Sequence, residues 1–451
     1  MVPRWVEYFQ KANCKTGMNS IGDHDVLILA SSRWDGPYSS AAFALAKALS
    51  RHTRVFYVDN PVTITEYFRN RKSDAMKKRE QALLYGEDFF SLPDKTRPSL
   101  LTVTPRCILP SNWLPKGFFY DVMSGFNNAI VSHSLNRLLR VFGMKKYILI
   151  NSFNPAFGRV IDRLKIKPAV TVYQSVDDIR YAPYLSRHGV RQENDFVGKV
   201  DVTLVTSSHL YNMKKAISPN IRLLPNAADT QLFSRALKEE LPMPSEISRL
   251  TPGKKVICYI GNICQRIDYV LLKKLAAFHH DKILLMVGPH ARDYAKPGKR
   301  YVESSGLDQF ANVIFAGPKP ADELPAFLQH SDCCIIPFLC NDLTRSIYPL
   351  KINEYLSAGK PVVTTPFSDD ILKFREVTYI SENDSEFVQL IDRAIREHSE
   401  IKAIERSVFA ASNNWDARAR HFIDVIVDFL KHHDRRTGKP DRRTGAQALY
   451  G

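Results

Sequence analysis

Residues 348–365 read YPLKINEYLSAGKPVVTT. Ile352, Tyr355 and Leu356 recur at helical spacing, Pro349 suits the first position of a helix, and Gly359 suits its C-cap. Pro361 then opens the β-branched run Val362 to Thr365, which reads as a strand. A short helix feeding a β-branched strand fit for burial is the repeating unit of a parallel sheet covered on both faces.

The same unit recurs along all 451 residues. In the first half the strand-like runs are DVLILAS from Asp25, RVFYVDN from Arg54, LLTVTP, KYILINS, AVTVYQS, VTLVTSS and IRLLPN. In the second half they are VICYIGN from Val256, KILLMVG, NVIFAG, CCIIPF, PVVTT and VTYI. Helix-length segments separate them, so the fold class is α/β with doubly wound, Rossmann-like parallel sheets. This length exceeds what one core holds, and ALKEELPMPSEISRLTPGKK, rich in proline and charge, divides the two halves. The expected organisation is an N-terminal extension 1–24, a first Rossmann-like domain 25–235, a linker 236–253 and a second such domain 254–411. A C-terminal helix 412–433 packing back on the first domain follows, then a disordered basic tail 434–451 containing DRRTGKPDRRTG.

The formal net charge of +16 favours an anionic partner: nucleic acid, a phosphate-bearing substrate or an anionic membrane surface. No zinc-finger, RNP or helix-turn-helix signature accompanies it, which argues against nucleic acid. The basic segment 66–81, EYFRNRKSDAMKKREQ, reads as a surface excursion or as a contact for an anionic acceptor or lipid headgroups. Seven cysteines without a C-x-x-C pair read as reduced thiols. The N-terminus lacks the apolar core of a signal peptide, and no apolar run reaches the ~20 residues of a membrane span. A cytoplasmic protein is expected, with membrane contact peripheral at the inner face.

No G-x-G-x-x-G follows a strand, and Gly359-Lys360 lacks the rest of a phosphate-binding P-loop. Asp23-His24-Asp25 has D-x-D form but lies at a strand's entry, and no Cys/His metal spacing is present. The stretch with chemistry is the helix start at Pro349. The amides of Leu350 and Lys351 lack intrahelical acceptors there, the helix dipole favours an anion, and Lys351 adds a full charge. Glu354, three residues on, shares the face. A diphosphate beside a ribose diol would use both ends of that face; a solvated ion pair would use neither.

PLKINEYLSAGKPVV resembles the donor-binding signature of the GT-B glycosyltransferases, in particular the large retaining family with an E-x7-E motif. Further pieces are similar to it in the expected order: residues 202–233, YIGNICQRID (259–268), LLMVGP, residues 312–338 and ASNNWDARARHFIDVI. The resemblance is closest to bacterial cell-envelope polysaccharide enzymes of the teichuronic-acid type. It implies two Rossmann-like domains facing across a cleft, with 25–235 on the acceptor side and 254–411 binding the nucleotide-diphosphate sugar. It implies a carbohydrate or lipid-linked acceptor, retention of configuration, and no cofactor or metal.

Carried over by position, Glu354 binds the ribose hydroxyls, and the backbone at Leu350 and Lys351 meets the diphosphate. Gly261 lets backbone approach phosphate, and Arg266 is the basic diphosphate ligand or a surface arginine. Arg266 and Lys351 are also catalytic candidates, through the charge they bring to the leaving group. The first Glu of the motif is replaced by Ser346, and Pro349 stands where a glycine is usual, which leaves the sugar contact open. Asn341 takes it over or serves the loop. In the first domain, Gly36 would approach the donor phosphate, while Trp34 is an acceptor platform or a cover for the core. Asp177 and Asp178 leave a strand where catalytic carboxylates belong, or cap the next helix. Asp177 and Glu193 are the remaining acceptor candidates. Two other functions stay open: a nucleotide-sugar epimerase, and a GT-B scaffold that binds carbohydrate or a partner without turnover.

Overall fold

The computed structural model describes residues 21–437 apart from 37–39, 88, 95, 183, 250–252, 294, 295 and 297. The expected extension up to residue 20 and the tail beyond 437 lie outside the described residues. The chain divides into two compact units. Of the described residues, one holds 21–206, Leu210–Leu224 and 418–437; the other holds Ser207–His209 and Pro225–Ala417.

The first unit is built on an eight-stranded sheet. Its strands are β1 (Asp25–Ala30), β2 (Val55–Val58), β3 (Phe90–Ser91), β4 (Leu100–Val103), β5 (Tyr147–Ser152), β6 (Val170–Ser175), β7 (Val202–Val205) and β8 (Ile221–Leu223). They lie in the order β3-β4-β2-β1-β5-β6-β7-β8. Every neighbouring pair is parallel except β3 with β4, an antiparallel edge. β1 and β5 are buried along their whole length, as strands covered by helices on both faces must be.

The second unit carries β9 (Val256–Ile260), β10 (Ile283–Val287), β11 (Val313–Gly317), β12 (Cys333–Ile336), β13 (Val362–Thr364) and β14 (Tyr379–Ile380). The order is β11-β10-β9-β12-β13-β14, all parallel. The chain thus winds outward from β9 through β10 and β11, then returns to its other side at β12. Ligands of open parallel sheets bind beyond the carboxyl ends of the strands at such a reversal. Helices around this sheet start on side-chain caps: Asp268 Oδ1 accepts from Leu271 N–H at 2.9 Å, Asn383 Oδ1 from Glu386 N–H at 3.0 Å, and Ser399 Oγ from Lys402 N–H at 3.3 Å. Cys258, Cys333 and Cys334 are buried free thiols in the core of this unit.

The described residues of the stretch read as a linker, 236–253, belong to the second unit, whose boundary falls at Leu224 and Pro225. Short helices Arg235–Lys238 and Ser245–Ser248 form within and beside it. Gln329 holds it, accepting from Leu241 N–H at 2.8 Å and donating to Ala236 O at 2.9 Å and Glu239 O at 2.6 Å. Local composition cannot reveal an anchor some ninety residues away. The last helix, Trp415–Thr437, runs from the second unit into the first, where Ala419, Phe422, Ile423 and Ile426 are buried. Among the described residues no helix is long and apolar enough to cross a membrane.

Candidate active site

The reversal in the second sheet gathers three segments: the loop after β9, the loop after β12, and the Leu350–Ser357 helix that leads into β13. The first two are tied together, since Asp268 N–H donates to Pro337 O at 2.8 Å and Leu339 N–H to Arg266 O at 2.9 Å. The β9 and β10 loops also run side by side. Gly261 N–H reaches Val287 O at 2.8 Å, and Ile263 N–H reaches Pro289 O at 2.9 Å.

Two glycines permit that approach. Gly261 (φ 142°) and Gly288 (φ 144°) both adopt backbone that L side chains avoid. A Cβ on Gly288 would lie 2.0 Å from the carbonyl oxygen of Gly261. A Cβ on Gly261 would lie 2.2 Å from Cε and 2.7 Å from Nζ of Lys351. The lysine therefore lies back over the β9 loop, with Nζ 5.5 Å from the ring centres of both Tyr259 and Phe338. Such faces hold an ammonium electrostatically without neutralising it.

Pro349 (φ −77°, ψ 98°) is the N-cap residue of the helix rather than its first helical position, and no side chain caps this end. Ile352, Tyr355 and Leu356 are buried as their spacing demands. The Tyr355 hydroxyl accepts from Ile260 N–H at 2.8 Å and lies 3.2 Å from Ile260 O, pinning the helix to the end of β9. Lys351 and Glu354 are half-buried, not solvated. Burial lowers the Lys351 pKa and Arg266 lowers it further, while Glu354 opposes. Burial raises the Glu354 pKa and Asp229 adds to it, while Lys351 opposes. The Glu354 carboxylate forms no hydrogen bond or ion pair among the described residues. Asn353 is fully buried with neither amide atom hydrogen-bonded among them. An unpaired carboxylate, a cation and an uncapped helix start are thus assembled at one strand edge.

Residues 254–397, which contain all of these elements, match the family described as Glycosyl transferases group 1. The chain carries a glycosyltransferase group 1 domain. A proposed teichuronic acid biosynthesis glycosyltransferase, TuaH, of Bacillus subtilis (strain 168) is 27% identical over 210 residues, 45% of this chain. The match spans 50% of that curated relative's length. Solved structures with similar folds include sucrose-phosphate synthase from Thermosynechococcus elongatus, with 13% identity and a TM-score of 0.59 over 93% of this chain and 100% of that one. The alpha,alpha-trehalose 6-phosphate synthase from Burkholderia multivorans gives 11% and 0.63 over 93% and 99%. Anabaena HepE, solved in complex with UDP and glucose, gives 14% and 0.54 over 92% and 99%. Identities this low show fold alone, and the fold is GT-B.

Within the group 1 domain, Ser346 is buried at the C-cap of the Asp342–Arg345 helix, its hydroxyl donating to Leu343 O at 2.8 Å. Asn341 caps the other end of that helix, accepting from Thr344 N–H at 3.1 Å. Its side chain is engaged in the loop. Arg266 is half-buried beside Lys351, close enough to act on its charge. Gly288 is the element of this domain that sequence reasoning did not single out; its signal was a glycine directly after the LLMV run.

The first-unit candidates fare differently. Glu193 is buried and accepts from Lys214 Nζ at 2.7 Å, Tyr173 Oη at 2.8 Å and Ser175 Oγ at 3.0 Å. This corrects its reading as an acceptor ligand: every contact is internal, and the pair neutralises a buried lysine. Asp178 is buried, accepts from Arg180 N–H at 3.0 Å and forms an ion pair with the same arginine at 2.5 Å, so it caps the Ile179–Tyr181 turn. That occupies both oxygens and replaces the catalytic reading. Asp177 is half-buried beside it. Trp34 is half-buried with its ring 6.1 Å from Phe43, and its backbone N–H donates to the Asp59 carboxylate at 3.0 Å. Gly36 closes the following turn onto Arg33 O at 3.2 Å.

The basic segment 66–81 folds partly as helices Ile64–Asn70 and Asp74–Lys77. Its Arg79 turns inward to Asp35 at 2.7 Å and Asp59 at 3.4 Å. Burial pushes the Asp59 carboxyl up to about 6 against that partner. A further signal missed is Phe153 (φ 53°), just beyond β5, where the first sheet reverses direction. A non-glycine residue in that region stores backbone strain, a frequent mark of functional loops.

Proposed function

We propose that the protein transfers a glycosyl group from a nucleoside-diphosphate sugar to a carbohydrate or lipid-linked acceptor in cell-envelope polysaccharide assembly. The observation that carries this reading is Glu354, half-buried and unpartnered beside Lys351 at the start of a helix inside the group 1 domain. In this reading Glu354 takes the two ribose hydroxyls. The Leu350 and Lys351 amides, Lys351 and Arg266 take the diphosphate, and Gly261 gives it room. Bond exchange replaces the sugar's C1–O bond to phosphate with one to the acceptor oxygen on the same face. The acceptor's proton passes to the departing phosphate. Preorganised cations stabilise the charge growing on that leaving group, so the reading calls for no metal.

Ser346 is consistent with turnover, since its burial at a cap leaves the sugar to contacts other than a carboxylate there. The likeness to TuaH supports the polysaccharide context, and the UDP and glucose bound to HepE support the donor class. The test is nucleoside diphosphate release from UDP-, GDP-, CDP- and dTDP-sugars, with and without an acceptor glycan fraction. Acceptor-dependent release and a product with the donor's anomeric configuration are expected. Sugar interconversion without acceptor would instead mark an epimerase, and binding without release a scaffold.

A further inference from the structure

The Phe118–Val141 helix is built inside out over its first turns. Below Tyr120 its buried side is polar: Ser124, Asn127 and Asn128 are all buried. Asn127 exchanges hydrogen bonds with the backbone of Leu109, and Asn128 donates to Ala156 O at 2.9 Å. Its outward residues are apolar. Phe118 is 75% exposed, Phe119 74%, and Val122 and Phe126 each 55%. Following the helical turn, these four fall within an arc of about 100°, one broad side of the helix. Trp113, 68% exposed, stands just before the helix.

Hydrogen bonds and a ring stack tie this segment to its neighbours. Trp113 Nε1 donates to Pro110 O at 3.0 Å, and Arg187 donates to Trp113 O at 2.6 Å. His188 bonds Leu114 O at 3.1 Å, and its ring stacks on Tyr120 with centroids 3.4 Å apart. The surroundings are basic. Lys116, Arg187 and Arg191 are exposed and all act on the charge of His188. Asp121, the acid on this turn, is paired with Arg191. Large exposed apolar patches mark interaction sites. Aromatic side chains ringed by lysine and arginine suit a bilayer whose headgroups are anionic, because the rings enter the interface while the cations meet the lipid charge.

We propose that this face docks the protein on an anionic lipid bilayer, with Trp113, Phe118 and Phe119 entering the headgroup region. The inference rests on the first unit alone and is independent of the glycosyltransferase reading. It is tested by sedimenting the full-length protein with vesicles of phosphatidylcholine, with and without phosphatidylglycerol. The wild type is expected to pellet with the phosphatidylglycerol vesicles and at least tenfold more weakly with phosphatidylcholine alone. The Phe118→Ser/Phe119→Ser variant is expected to lose at least tenfold in binding with an unchanged melting temperature. Failure of the wild type to pellet, equal binding to both vesicles, or equal binding by the variant would overturn the proposal. So would light scattering that shows a dimer which the double substitution dissociates, because the face would then belong to a second copy.

Discussion

Gly288 and Gly261 share a backbone conformation but face different neighbours, and that difference predicts different outcomes. Alanine at either position bears backbone strain of about 1–3 kcal/mol. At Gly288 the new methyl would also meet the carbonyl oxygen of Gly261, a fixed backbone atom; at Gly261 it would meet the mobile end of Lys351. Gly288→Ala should therefore lower the melting temperature more than Gly261→Ala, whose main effect should be weaker nucleotide binding as the lysine is displaced. Thermal denaturation of the two variants, with nucleotide titrations, checks this; equal melting temperatures would remove the close approach from the account. At this scale sequence was legible where chemistry is local. Lys351 and Glu354, three residues apart behind a proline, declared a shared face. The fold of Lys351 over Tyr259 and Phe338 was not legible, because those rings come from other strands' ends. Glu193 misled for the same reason, its neutralising Lys214 being known only from packing.

The Leu350–Ser357 helix has eight residues, too few to be stable by itself. Its position depends on packing and on Tyr355, whose hydroxyl serves both backbone groups of Ile260. On that side β9 pairs with β12 only at Ile257 and Cys258, so Tyr355 does for Ile260 what a neighbouring strand would do. Tyr355→Phe leaves both groups unpaired in the core and should lower stability by about 1–3 kcal/mol. Urea denaturation measures this, and a loss below about 0.5 kcal/mol would show that the hydroxyl does not hold the helix. The inner strands were readable because each is a short, mostly buried run rich in β-branched, aromatic and aliphatic residues, separated from the next by a helix-length segment. β3 was not, since two residues at an edge make no run, and its antiparallel direction escaped with it. The supposed linker escaped because proline and charge mark irregular chain without saying what it packs against.

Over the whole molecule, two Rossmann-like units and a net charge of +16 suit anionic ligands in two different settings. The fold class was legible because strand-then-helix alternation leaves few architectures. The exposed aromatic face was not, because a helix with outward aromatics and inward asparagines reads as ordinary amphipathic sequence until its buried face is known. The proposed donor site joins both levels, and Glu354 is its sharpest point. Burial raises its pKa, so its ionised form weakens the fold at pH values above that raised pKa. An amide in its place should leave the melting temperature unchanged or higher. Its bonds to a ribose diol, made by a charged group, are worth about 1.5–3 kcal/mol, or roughly tenfold to a hundredfold in affinity. Isothermal titration of UDP, GDP, CDP and dTDP into the wild type and Glu354→Gln therefore tests the account most directly. It predicts that at least one diphosphate binds the wild type and binds Glu354→Gln ten- to a hundredfold more weakly, with the melting temperature preserved. Equal affinity for both proteins, or no binding to the wild type, would contradict it.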